Sequence, residues 1–178
     1  MLQLNHRKSF DFDCFTSFPL KEKLLHRAKQ TFGEEIMIQV DTSDVLLLTT
    51  PEGVEITFVY YPYPPLHHLL EVKPMPLFHL ADLASDKART IGRRGAWRDY
   101  VDLFFFLKRE VFNLEQIIQK AQQRFAGEFN DKLFLEQLVY FNDLEINSIE
   151  FLQESYLPDE IKDYLAHAVD RQTTKRLR

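Results

Sequence analysis

Apolar and polar positions alternate at the start of the chain. From Ser9 to Thr16, Phe10, Phe12 and Cys14 interleave with Asp11 and Asp13. A period of two is that of a half-buried strand, so the rings and the thiol are expected to face a core and the two carboxylates to face away. The period changes over residues 19–32, where Leu20, Leu24, Leu25 and Ala28 make one helical stripe and Gly33 supplies a stop. Three short runs follow, residues 36–40, 45–50 and 54–61, set apart by D-T-S-D and P-E-G turn signals. Their close spacing predicts an antiparallel meander. Proline-rich breaks at 62–65 and 73–76 end this pattern. Beyond them only helical periodicity remains, over residues 77–91, 96–108, 114–124, 131–140 and 158 to about 174, the last with Pro158 in its first turn. Strand, helix, three strands, then helices is an α+β layout, with a sheet region over residues 1–76 and a helical region over 77–178. The basic tail, residues 171–178, is expected to fray.

Composition narrows the class. With 178 residues, sixteen Phe and seven Tyr, the chain can build a full core. A net charge of −5 argues against a protein that coats polyanions with its whole surface. The lone cysteine, Cys14, excludes an internal disulfide framework and an all-cysteine zinc site, and suits a reducing cytoplasm. No apolar run approaches the roughly 18 residues that suggest a membrane span, and residues 1–10 lack the apolar block of a secretory signal.

Four features could carry chemistry. Asp11 and Asp13, two apart on a strand, aim at one side, and a divalent cation relieves the repulsion between such carboxylates. The alternative is a solvated strand face. Lys87 sits within the stripe Leu80, Leu83, Ala84, Ala88 and Ile91. It must snorkel, pair with an acid, or meet an anion such as phosphate. Asp102 is the sole charge in Y-V-D-L-F-F-F-L, residues 100–107, a helix apolar nearly all round. A buried carboxylate needs a partner, and the plainest is a Lys87–Asp102 ion pair joining two helices. Asp99 lies on the same side of that helix. Lastly, Lys87, Arg89, Arg93, Arg94 and Arg98 form a positive run suited to nucleotide or RNA phosphates, or simply to solvent. The six histidines follow no metalloprotease spacing, and neither a G-x-S-x-G elbow nor a P-loop is present.

Taken in order, H-R-K-S-F-D-F-D (residues 6–13), Y-P-Y-P (61–64) and L-A-D-L-A-S-D-K-A-R-T-I-G-R-R-G-A-W-R-D-Y-V-D-L-F-F-F-L (80–107) resemble the AbiEii/AbiGii family of nucleotidyltransferase-like toxins from bacterial toxin–antitoxin and abortive-infection systems. The resemblance covers about residues 1–108. It implies a polymerase-β-type nucleotidyltransferase fold, a small mixed sheet followed by helices. It further implies Asp11 and Asp13 as Mg²⁺ ligands, Lys87 as a phosphate contact and Asp102 as the acid of a second motif. Arg7, Ser9, Arg94, Arg98 and Asp99 are then substrate-binding candidates. Glu55 is a candidate third metal ligand, with Thr57 competing for the matching position. The implied reaction moves a nucleotide from an NTP to an acceptor, with tRNA or another RNA in view. The implied partner is a cognate antitoxin, with a winged-helix DNA-binding protein as the candidate, and the implied location is the cytoplasm.

One element of the family pattern is missing. The D-x-D strand should follow a helix that opens on a Gly-Gly-Ser/Thr turn, whose amides cradle a triphosphate. The five glycines here are never adjacent. Residues 2–6 read as the last turns of that helix, so the expectation is an N-terminally truncated member. Three readings therefore stand: an active transferase, a degenerate module that binds RNA or a protein partner without chemistry, and a structural α+β domain with a buried Lys87–Asp102 pair.

Overall fold

The computed structural model describes residues 2–176. Four strands, β1 (Asp11–Thr16), β2 (Met37–Asp41), β3 (Val45–Thr49) and β4 (Glu55–Tyr60), lie in the order β1-β4-β3-β2. The turns at residues 42–44 and 50–54 are too short for a crossover, so β2, β3 and β4 form the antiparallel meander that their spacing predicts. β1 instead runs parallel to β4, which makes the sheet mixed. Parallel neighbours need a long connection, and the chain supplies one through α1 (Leu24–Phe32), β2 and β3. α1 starts later than its apolar stripe suggests and ends at Gly33, whose φ of 96° is readily open to glycine.

α1 covers one face of this sheet. Ala28, Ile36, Leu46, Leu48 and Ile56 are buried together there, and Cys14, Leu20, Leu24, Leu25, Phe32 and Phe58 pack against them. The alternation in β1 is observed, but its apolar side is only partly used. Cys14 reaches the core, whereas Phe10 is 70% and Phe12 52% exposed. β1 is an edge strand, and the small core under α1 is filled by β3 and β4 before it reaches Phe12.

The later helices are α2 (Leu80–Arg94), α3 (Trp97–Lys108), α4 (Leu114–Phe125), α5 (Asp131–Leu138) and α6 (Pro158–Arg176). Each of the five expected there is present within a few residues of its expected ends. α6 stays helical through Arg176, and the last two residues of the tail lie outside the described part. α2 packs on α3, α4 and α5, and α6 also packs on these three. Ala81, Ala84 and Ala88 let neighbours approach α2 closely, while Phe104, Phe105, Phe106, Ile117, Phe134, Leu138 and Ile161 fill the centre. Gly95 sits in the sharp turn between α2 and α3. A Cβ there would lie 3.0 Å from the backbone of Ile91 and 3.1 Å from the Tyr100 ring.

The chain divides into two compact units, Ser9–Pro64, which holds the sheet, and Met1–Lys8 with Pro65–Arg178, which holds the helices. Residues 2–5 form turns in place of the expected helix end, with Asn5 at φ 46°. Hydrogen bonds tie this segment to residues far along the chain. Lys8 N–H donates to the Glu150 carbonyl at 2.9 Å and Leu152 N–H to the His6 carbonyl at 3.0 Å. Gln3 Nε2 donates to the Phe78 carbonyl at 2.7 Å and Arg109 Nη1 to the Leu4 carbonyl at 2.6 Å.

Leu48 is fully buried at the centre of the sheet unit's core. Leu48→Ala is expected to destabilise the protein by about 2–5 kcal/mol, measured by denaturant unfolding.

Candidate functional site

In the sheet unit the candidate residues collect on the face opposite α1. β1 and β4 are in register, with Asp11 beside Glu55 and Asp13 beside Thr57. Residues paired across a ladder project to the same side, so Asp11, Asp13 and Glu55 share one face. The register thus separates the two candidates for the third position. Glu55 brings a carboxylate next to Asp11, and Thr57 brings only a hydroxyl next to Asp13. Thr49, opposite Glu55 on β3, continues the polar row. Ser9 Oγ donates to Asp11 Oδ1 at 2.6 Å and orients that carboxylate. Oxygen donors alone line this part of the face, a set suited to a hard cation.

In the helical unit the candidates converge on Asp102. Its side chain is fully buried in α3, and four donors reach it. Oδ1 accepts from His6 Nε2 at 2.8 Å and from Arg7 Nε at 2.7 Å. Oδ2 accepts from Arg7 Nη2 at 2.9 Å and faces Lys87 Nζ at 2.8 Å. The Arg7 contact is the bidentate fork that guanidinium and carboxylate geometry favours. Arg7, read from sequence as a substrate contact, is itself buried and held on Asp102.

Lys87 pairs with two acids rather than one. Its ammonium also donates to Asp99 Oδ1 at 2.7 Å, while Asp99 Oδ2 accepts the Ala96 N–H at the start of α3. Asp99 therefore caps its own helix and holds a lysine from α2. The lysine side chain remains 20% exposed, while that of Asp102 is fully buried. Arg94 and Arg98 are exposed, at the end of α2 and the first turn of α3. Part of the basic run is internally neutralised, since Arg89 and Arg93 both reach Glu128, at 3.2 and 3.1 Å.

The electrostatics follow from burial and partners. Burial pushes the Asp102 carboxyl up, but Lys87, His6 and Arg7 outweigh it and hold the group well below the usual carboxylate range. Burial pushes Lys87 down, and Asp102 and Asp99 more than offset this, leaving it above the ordinary lysine value. Burial dominates at His6. It lowers the imidazole below its usual value despite the Asp102 bond, and Nδ1 is buried with no hydrogen-bond partner among the described residues. Toward the ionised Asp102, Nε2 presents its proton, and no spacing in the sequence marked this histidine. Sequence reading also passed over Asp82, fully buried, and Arg124, also buried, which binds Asp86 at 3.0 Å.

Asp102→Asn leaves Lys87 and Arg7 without their shared counter-charge. It is expected to cost about 3–5 kcal/mol in denaturant unfolding. His6 gives a pH signature. Its folded value lies below its unfolded value of about 6.5, so its contribution is present above that pH and is lost as pH falls toward the folded value. The expected slope is at most about 1.4 kcal/mol per pH unit. His6→Gln should flatten that part of the stability-versus-pH curve.

Comparison with known proteins gives the fold and the family. An uncharacterized protein of Aquifex aeolicus (strain VF5), aq_aa25, is 25% identical over 182 residues, spanning 93% of this chain and 84% of that one. Two Helicobacter pylori crystal structures share the fold. JHP933 aligns with a TM-score of 0.55 at 20% identity, over 95% of this chain and 77% of its own. A candidate nucleotidyltransferase aligns with a TM-score of 0.56 at 19% identity, over 97% and 82%. The family described as nucleotidyl transferase AbiEii toxin, type IV toxin–antitoxin system, matches residues 1–176, which takes the likeness through the helical tail. The chain belongs to the AbiEii nucleotidyltransferase toxin family.

Proposed function

We propose that this protein transfers a nucleotide from an NTP to an RNA acceptor, tRNA among the candidates, with Mg²⁺ held by Asp11, Asp13 and Glu55. The observation that carries the reading is the β1–β4 register, which sets three carboxylates on the sheet face opposite α1. Their all-oxygen character fits Mg²⁺, which when bound would neutralise charge on the triphosphate. Ser9 keeps Asp11 oriented. Lys87 contributes a fixed cation. Two of its three ammonium hydrogens face Asp99 and Asp102, and the third is assigned to a phosphate oxygen. Asp102 acts here as a positioning residue, because its four donors occupy both of its oxygens. Arg94 and Arg98 supply positive charge for phosphates of the nucleotide or RNA.

Family membership implies an antitoxin partner. We assign that role to a winged-helix DNA-binding protein acting in the cytoplasm. No helix among the described residues is long and apolar enough to cross a membrane.

The test is transfer of label from each α-labelled NTP into total RNA with Mg²⁺. Asp13→Ala, at an exposed position, should lower incorporation at least about 100-fold while leaving the melting temperature nearly unchanged. Label that survives this substitution would contradict the assignment. So would the absence of label with every NTP, and RNA binding without transfer would then favour a non-catalytic binding module.

A further inference from the structure

The loop before α2 and the first turn of that helix hold a second constellation, independent of the residues assigned to transfer. His67, His79 and Asp82 each present a donor atom, and the three atoms lie within 4.8 Å of one another. Among the described residues no other three His, Cys, Asp or Glu side chains meet this closely. The two imidazole rings stack, with centroids 4.7 Å apart and planes 18° apart. His67 Nδ1 lies 3.1 Å from Asp82 Oδ2, which also accepts the His67 N–H at 3.2 Å. The other oxygen, Oδ1, accepts the Leu66 N–H at 2.7 Å and has Arg124 Nη1 at 3.7 Å. His79 Nδ1 accepts the Ala81 N–H at 3.1 Å. Beside the cluster is an open cavity of about 510 Å³ lined by Pro65, Leu66, His67, His68 and Leu69.

We propose that His67, His79 and Asp82 bind a zinc-class divalent cation. Two imidazole nitrogens and one carboxylate oxygen are a donor set for zinc and its borderline neighbours rather than for Mg²⁺. Zinc bonds of about 2.0–2.1 Å in a tetrahedral site put ligand atoms about 3.3 Å apart, close to the His67–Asp82 separation. The cation takes the place of the proton between His67 Nδ1 and Asp82 Oδ2, and that proton leaves to solvent. His79 turns its Nδ1 lone pair from the Ala81 amide to the metal. The backbone bond and Arg124 on Oδ1 leave Oδ2 to face the ion. The fourth position takes water from the cavity. Sequence reading missed the site because its ligands are twelve and three residues apart and match no recurrent zinc spacing.

The test uses untagged, chelator-treated full-length protein and Co²⁺ as a spectroscopic probe, followed by displacement with Zn²⁺. One equivalent of Co²⁺ should bind with the intense visible absorption of a tetrahedral site, survive excess Mg²⁺, and be displaced by Zn²⁺. His79→Asn keeps a good helix cap while removing the imidazole. It and His67→Ala should each weaken Co²⁺ binding at least about tenfold, as loss of a ligand does, whereas Asp13→Ala should not. Circular dichroism of the metal-free variants checks that they fold. If His79→Asn unfolds, shifts of the His67 and His79 ring signals in the native protein on Zn²⁺ addition give the same answer. Failure of the native protein to bind an equivalent, or binding unaffected by both histidine substitutions, would overturn the proposal. Neither result bears on transfer by the sheet face, since the two use different residues.

Discussion

A carboxylate without water must be surrounded by donors, and that requirement organises the helical unit. Asp102 is fully buried amid Phe104, Phe105 and Leu103, so its charge is tolerable only with partners. Those partners come from distant parts of the sequence, with His6 and Arg7 from the N-terminal segment and Lys87 from α2. One buried charge therefore joins three segments. The same contacts keep Arg7 in place while its backbone bridges to Phe151, so the segment preceding the sheet is held by both side chain and main chain. A hydrophobic residue of similar volume in place of Asp102 would relieve the desolvation cost, but it would take from Arg7 its bidentate carboxylate and leave Lys87 with Asp99 alone. The arrangement is better understood as setting the position of a lysine than as adding stability.

The sheet unit obeys a different constraint. A four-stranded sheet with one covering helix has one face under that helix and one turned away from it. Leu46, Leu48 and Ile56 occupy the face under α1, so the alternate positions on β1 and β4 are committed to the other. Alternation along β1 places Asp11 and Asp13 there, and parallel pairing with β4 adds Glu55. Three acids on one surface repel, and nothing in the core requires them. That repulsion is what the proposed cation would relieve.

The sequence was informative wherever a period or a cap acts locally. The six α-helices and four strands could be read from spacing, and the unbroken apolar stretch around Asp102 announced a buried charge in need of partners. Long-range choices were out of reach. Periodicity cannot say whether β1 pairs with β4 or β2, so which of Glu55 and Thr57 stands beside Asp11 waited on the register. It cannot show that an edge strand leaves Phe10 and Phe12 outside a small core. Lys87 was expected to face one acid and meets two, because Asp99 comes within reach only when α3 turns sharply at Gly95. His6 closed a segment read as a helix end and Arg7 was read as a substrate contact, and nothing in their spacing pointed 96 and 95 residues ahead to Asp102. His67, His79 and Asp82 were missed because a loop residue and two residues at the start of α2 share no period.

In its proposed role Lys87 is a protonated, positioned cation that meets phosphate. Its side-chain ammonium can be observed directly by nuclear magnetic resonance in nitrogen-labelled protein and assigned by its loss in Lys87→Arg. The account expects the signal to persist above the ordinary lysine value of about 10.4, and to shift when Mg²⁺ and an NTP are added together. An ammonium that deprotonates at or below that value, or that does not respond to saturating nucleotide, would contradict it.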